Sequence, residues 1–235
     1  MGIRRGSIST PIIADGLVFN IDAANRASYV PNATTSFNTI DLSQSGSFIN
    51  NPTYISPPTS ASCWDFDGVD DCINCGDMEM NGWTGFAVEA WCKSDVTDGN
   101  SRRIVSKDQV GVAGAWMLRV QSYDLFFQIY DGSWKISRYT LYSEDTNWHH
   151  VVGTLLNGTS TLYLDGVAVD SVGSVGALDD ADNEKVVIGA DSDISSPENV
   201  WNGQIANVRI YNRGLSENEV LHNYNALKSR FEWVE

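Results

Sequence analysis

Phe86-Ala87-Val88-Glu89-Ala90-Trp91-Cys92-Lys93 decides the fold class. Phe86, Val88, Ala90 and Cys92 alternate with Ala87, Glu89, Trp91 and Lys93, a period of two that belongs to a strand. Upstream, Trp64 and Phe66 alternate with Cys63 and Asp65, and Cys72 to Cys75 follow the turn Asp67-Gly68-Val69-Asp70-Asp71. Downstream, strands are expected at 103–106, 115–121, 124–130, 133–138 and 148–155. Thr161-Leu162-Tyr163-Leu164 faces Val167-Ala168-Val169 across Asp165-Gly166, the strongest hairpin signal in the chain. Val186–Gly189 and Ile205–Tyr211 are the last strands expected.

Outside this block the pattern thins. Leu17-Val18-Phe19-Asn20-Ile21 reads as the first strand after the turn signal Asp15-Gly16. Residues 22–62 read as long loops around short strands near Phe48 and Tyr54, and Pro52, Pro57 and Pro58 exclude a helix there. One helix is expected near the end. Ser216 stands at an N-cap with Glu219 completing a capping box, and Val220, Tyr224 and Leu227 follow at helical spacing to about Ser229. Turn signals every ~8–12 residues with one late helix describe an all-β sandwich. Residues 15–235 read as one domain, preceded by an extended arm at 1–14.

The chain has 235 residues and a net charge of −15, a balance that repels phosphate backbones and argues against a nucleic-acid partner. No stretch approaches the ~18 apolar residues of a membrane span. The start shows two arginines with no apolar run behind them, so no secretory signal is read. Cys72 and Cys75 have zinc-like spacing but no second pair. Three apart on a strand, they face opposite sides, which favours free thiols for them and for Cys63 and Cys92.

Five motifs resemble those of laminin G-like, concanavalin A-like jelly rolls. They are Trp64-Asp65-Phe66-Asp67-Gly68-Val69-Asp70-Asp71, Phe86-Ala87-Val88-Glu89-Ala90-Trp91, Asn147-Trp148-His149-His150-Val151-Val152, Leu162-Tyr163-Leu164-Asp165-Gly166 and Val208-Arg209-Ile210-Tyr211-Asn212-Arg213-Gly214-Leu215-Ser216. The opening, Gly16 to Ala23, Ile40 to Ser43 and Asn51 to Tyr54, resembles laminin G-like proteins of tailed-phage virions. The resemblance implies two packed antiparallel sheets with one short C-terminal helix. It also implies a structural role on a capsid or tail, assembled in the host cytoplasm. The implied partners are other virion proteins, host-surface glycans and further copies of the chain. A free carbohydrate-binding lectin is the alternative, and a glucanase a distant one.

Three candidate sites follow. Asp65, Asp67, Asp70 and Asp71 crowd four carboxylates into seven residues, which a calcium ion would relieve; a solvated turn is the competing reading. Relatives often carry an acidic residue before the last strand where this chain has Ala206, a departure that weakens the calcium reading. Tyr130, Asp131 and Trp134 surround a hairpin tip and form a candidate glycan platform; sheet packing is the alternative use of such rings. Arg4, Arg5, Ile8, Ile12 and Ile13 give the arm the means to dock on a neighbour, against a frayed terminus.

Catalysis is not expected. Glycosidases need two facing carboxylates, and no strand here carries E-x-D-x-E or E-x-D-x-x-E. No G-x-S-x-G elbow occurs, and His149 and His150 point to opposite faces of their strand.

Overall fold

A computed structural model describes residues 11–57, 61–108, 115–140, 142, 145–180 and 184–231. Two antiparallel sheets of eight strands pack face to face. The first runs, in spatial order, β14 (Val167–Gly173), β13 (Thr159–Leu164), β12 (His149–Leu156), β7 (Phe86–Ser94), β16 (Asn202–Tyr211), β5 (Cys63–Asp67) and β4 (Thr53–Ile55). β1 (Leu17–Asp22) shares an edge of β16 with β5, taking residues 207–211 while β5 takes 202–205. The second runs β11 (Trp134–Tyr139), β10 (Asp124–Tyr130), β9 (Trp116–Gln121), β8 (Arg102–Lys107), β15 (Lys185–Ile188), β6 (Cys72–Asp77), β3 (Gly46–Ile49) and β2 (Thr35–Ser36). β2 lies in the stretch read as loop; two residues are too few to show a period.

The alternation seen in the sequence builds the core between the sheets. Phe86, Val88, Ala90 and Cys92 meet Trp116, Leu118, Leu125, Phe127 and Ile129 from the opposite sheet. At Gly153 the layers leave no room for a side chain: a Cβ there would lie 2.3 Å from the Phe127 ring. The Asp165-Gly166 turn has φ of 52° and 81°, the left-handed pair that a two-residue hairpin demands.

The other face of β7 is not solvated. Ala87, Glu89 and Trp91 are as buried as their neighbours. The cover is the helix α1 (Glu217–Leu227) with its short 3-10 extension (Lys228–Arg230). Leu215 and Val220 pack on Ala87, Val152 and Tyr211, and Phe231 stacks on Trp91 with ring centroids 4.1 Å apart. The Ser216 amide donates to Glu219 at 2.8 Å, closing the expected capping box. Arg213 adds two bonds to the same carboxylate and, with the box, holds Glu219 down at about 2.

Candidate functional site

The outer side of β9, β10 and β11 is buried at its middle, at Met117, Phe126 and Gln128, half-buried at Arg119, Tyr130 and Trp134, and exposed at Ile136 and Arg138. Inward residues alternate with outward ones, so Phe126, Gln128 and Tyr130 must point away from the core that holds Leu125, Phe127 and Ile129. Cross-strand register then sets rungs. Arg119, Phe126 and Arg138 form one, Met117, Gln128 and Ile136 the next, and Tyr130 pairs with Trp134 at the end. From Arg138 to Trp134 the face runs roughly 13 Å along the strand.

Tyr130 and Trp134 are half-buried, with ring centroids 5.3 Å apart and planes tilted by 59°. At the other end the Arg119 and Arg138 guanidinium groups lie 4.6 and 5.3 Å from the Phe126 ring centroid. Arg138 is paired with Asp124. Arg119 bonds only neutral acceptors, Gln128, Gln121 and Ser101, and no carboxylate among the described residues forms an ion pair with it. It stands directly opposite Arg103 on β8. Burial, then the Arg103 charge, lowers the Arg119 guanidinium to about 10. The Asp108 charge offsets part of this without forming an ion pair, and a cation so placed beside aromatic rings suits a ligand rich in oxygen.

Asp131, expected beside those rings as a reader of hydroxyls, is engaged elsewhere. It accepts the Gly176 amide at 2.8 Å and the Ser133 hydroxyl at 3.1 Å, with Lys135 3.7 Å away. Slight burial works to raise its pKa, and these partners win, lowering it. Its place is as an anchor for the loop at Gly176. Gln128, Arg119 and Arg138 are the polar groups next to the rings. Only their parity with Phe126 and Tyr130 on the strands could have pointed to them in the sequence.

The acidic turn gathers three of its four carboxylates. One oxygen each from Asp67, Asp70 and Asp71 lies within 4.8 Å of the others. Asp65 stays outside the group, inside the ladder between Thr53 and Gln204. Asp67 accepts the Val69 amide at 2.8 Å, and Asp71 accepts the Asp67 amide at 3.2 Å. Among the described residues each uses one oxygen in these bonds. Burial, with the Asp67 and Asp70 charges adding to it, pushes Asp71 up to about 6. Hard oxygen donors held under mutual repulsion are of the kind a calcium-type cation takes, and Asp67, Asp70 and Asp71 are the residues that could hold one.

The remaining polar groups tie the fold together. His149 sits between Asp165 at 2.8 Å and Asp145 at 2.9 Å. His150 is fully buried, stacked on Trp91 and 3.5 Å from Glu89. Ile13, half-buried, is held by its own chain: its amide donates to Asn223 and its carbonyl accepts the Tyr211 hydroxyl. Ile12 is also half-buried, and Arg4, Arg5 and Ile8 lie outside the described residues. All four cysteines are buried, and none is joined in a disulfide among the described residues. Cys75 is in the inter-sheet core and Cys72 in a separate outer cluster, on opposite sides of β6.

A family model described as the concanavalin A-like lectin/glucanases superfamily matches residues 67–221. No curated protein matches in sequence. Among solved structures, the binding domain of Paraclostridial mosquitocidal protein 1 is 16% identical at a TM-score of 0.67, over 90% of this chain and 52% of that one. The botulinum neurotoxin serotype D ligand-binding domain, in complex with N-acetylneuraminic acid, is 15% identical at 0.65, over 90% of this chain and 51% of that one. Domain 4 of an extracellular arabinanase from Geobacillus stearothermophilus, in complex with arabinotriose, is 15% identical at 0.64, over 88% of this chain and 98% of that one. The chain spans about half the length of the toxin domains it matches. At these identities the likeness is one of fold.

Proposed function

The chain belongs to the concanavalin A-like lectin/glucanases superfamily, and from that premise we propose that it is a non-catalytic glycan-binding module displayed on a tailed-phage virion. The observation that carries the binding reading is the outer face of β9–β11, accessible at Tyr130, Trp134, Arg119 and Arg138. It places the Tyr130 and Trp134 rings in line with Gln128, Arg119 and Arg138. Sugar rings stack their C–H faces on aromatic planes while fixed donors take the hydroxyls. Toxin and arabinanase domains of the same fold in complex with saccharides support the reading. Glu89 does not serve as a catalytic acid in it, because that carboxylate is buried under α1 against Arg209 and Asn223.

The same reading includes a calcium ion at Asp67, Asp70 and Asp71, which would neutralise the turn and fix it. The virion setting rests on the resemblance of residues 16–54 to the opening of phage laminin G-like proteins, and other virion proteins are the partners it implies.

A glycan array probed with wild type and Trp134→Ala tests the binding. Wild type is expected to bind a subset of glycans that the variant loses, and silence across the array would reject the module as a lectin. Mass spectrometry of purified particles tests the setting; absence of the chain from them would reject display.

A further inference from the structure

A cavity lies at the other end of the sandwich, between β4 at the edge of the first sheet and β3, which β2 flanks in the second. It encloses about 370 Å³ and is lined by Tyr29, Phe48 and Tyr54 together with Asn32, Asn51, Thr34 and Thr53 among others. We infer that this cavity is a separate binding site for a neutral saccharide.

The rings are held in place before any ligand arrives. Tyr29 stacks on Phe48 with centroids 5.5 Å apart and planes 16° from parallel. It meets Tyr54 at 5.0 Å. Trp64 supports both Tyr29 and Phe48 edge-on from the core, at 5.7 and 5.8 Å. A rigid cage of this kind loses little side-chain entropy on binding.

The rim supplies hydrogen bonds and no charge. The side chains of Asn32, Asn51, Thr34 and Thr53 are exposed, and none has an intramolecular partner among the described residues. An amide offers donors and an acceptor at once, and a hydroxyl both, which matches the paired donor and acceptor character of sugar hydroxyls. No charged side chain is among the lining residues, although the chain carries 45 formally charged side chains, 15 basic and 30 acidic. That selects against carboxylated or sulfated sugars and for neutral ones. Asn32 and Asn51 also hold left-handed backbone, both at φ 72°, which turns these two loops around the cavity.

The cavity is independent of the β9–β11 face. β3 and β11 are six strand spacings apart in the second sheet, roughly 29 Å. A polysaccharide or a glycan-coated surface can engage both, each site raising the effective concentration at the other.

Saturation-transfer NMR with lactose, maltose, cellobiose and chitobiose, each at millimolar concentration, tests the inference. At least one sugar is expected to receive transfer from wild type and from Trp134→Ala. The same signal should fall at least tenfold in Thr53→Arg and in Thr34→Trp, two changes at exposed rim positions that fill the mouth. Circular dichroism checks that each variant keeps its sheets. Tyr54→Phe, which keeps the ring, should retain the signal. No transfer to any of the four sugars would overturn the site, as would transfer that survives both rim variants. Loss in Trp134→Ala with survival in Thr53→Arg would overturn the cavity and leave the β9–β11 face standing.

Discussion

Glu89 accepts a 2.8 Å hydrogen bond from Arg209 between the first sheet and α1, and neither side chain is more than 3% exposed. The other Glu89 oxygen accepts Asn223 of the helix at 2.9 Å, and Arg209 lies 3.5 Å from Asp22, which Arg230 grips from the end of the chain. The pair therefore fastens α1 to the sheet. Removing Glu89 leaves the buried Arg209 with only the longer Asp22 contact, so Glu89→Ala should cost about 3–5 kcal/mol in urea unfolding at pH 7. Burial by itself would raise the Glu89 pKa; the His150 contact and the Arg209 charge outweigh it and hold it at about 2. A depressed carboxylate pKa stabilises the fold above the unfolded value near 4.5 and loses that contribution as pH falls toward 2. The gap between wild type and Glu89→Gln should thus narrow steadily below pH 4.5. A gap that stays constant from pH 7 to pH 3 would contradict the assignment.

The layering was legible because period-two alternation survives at Phe86, Val88, Ala90 and Cys92 whatever covers the other side. What covers it was not. Alternation alone leaves the surroundings of Ala87, Glu89 and Trp91 open, and the packing of Val220, Tyr224 and Phe231, more than 120 residues later, makes that face interior. The candidate sites divide along the same line. The Asp67–Asp71 turn is local, so its crowding could be read directly, whereas the removal of Asp131 depends on Gly176, 45 residues away. The cavity at Tyr29 was hidden because its rings come from segments without a period and meet only through the pairing of β3 with β6 and β4 with β5.

His149 is held by two carboxylates, and its expected pH dependence has the opposite sign. Burial lowers its pKa, but the bonds to Asp165 and Asp145 prevail and raise it above 6.5. A histidine with a raised pKa stabilises the fold while both states are protonated. The contribution is lost as pH rises from 6.5 through the folded value. Two-dimensional NMR should show the His149 imidazole titrating above 6.5, and Asp165→Asn should bring it down. His149→Ala is expected to cost about 1–3 kcal/mol at pH 6 and less at pH 9. Titration below 6.5 in the wild type would remove the charged bridge.

Calcium at the acidic turn has a thermal signature. A ligand at 100 times its dissociation constant adds about 2.7 kcal/mol, which in a domain of this size raises Tm by roughly 5–10 °C. Differential scanning calorimetry with 10 mM calcium chloride should show that rise for wild type, a smaller one with magnesium, and none for Asp70→Asn/Asp71→Asn. Without added cation the double variant should melt no lower than wild type, because it removes a carboxylate that burial first, and the Asp67 and Asp70 charges after it, lift to about 6. Equal melting of wild type with calcium and with a chelator would leave the turn as a solvated loop.

The thiols should be silent until the sandwich opens. Burial pushes Cys72 up to about 12, with the Asp71 charge adding to it, and burial raises Cys75 and Cys92 as well. The reactive species is the thiolate, so at pH 8 each is both inaccessible and protonated. Dithionitrobenzoate should label the native protein only at the rate of unfolding, then label all four cysteines in guanidinium. Mild oxidant should not join Cys72 to Cys75, since one faces Ile73's opposite side while the other shares the core with Phe48 and Trp64. Fast labelling of one thiol in the native state would mean that its layer is open. A Cys72–Cys75 disulfide formed without unfolding would mean that β6 does not present alternate residues to the two faces, and the registry of the second sheet would fall with it.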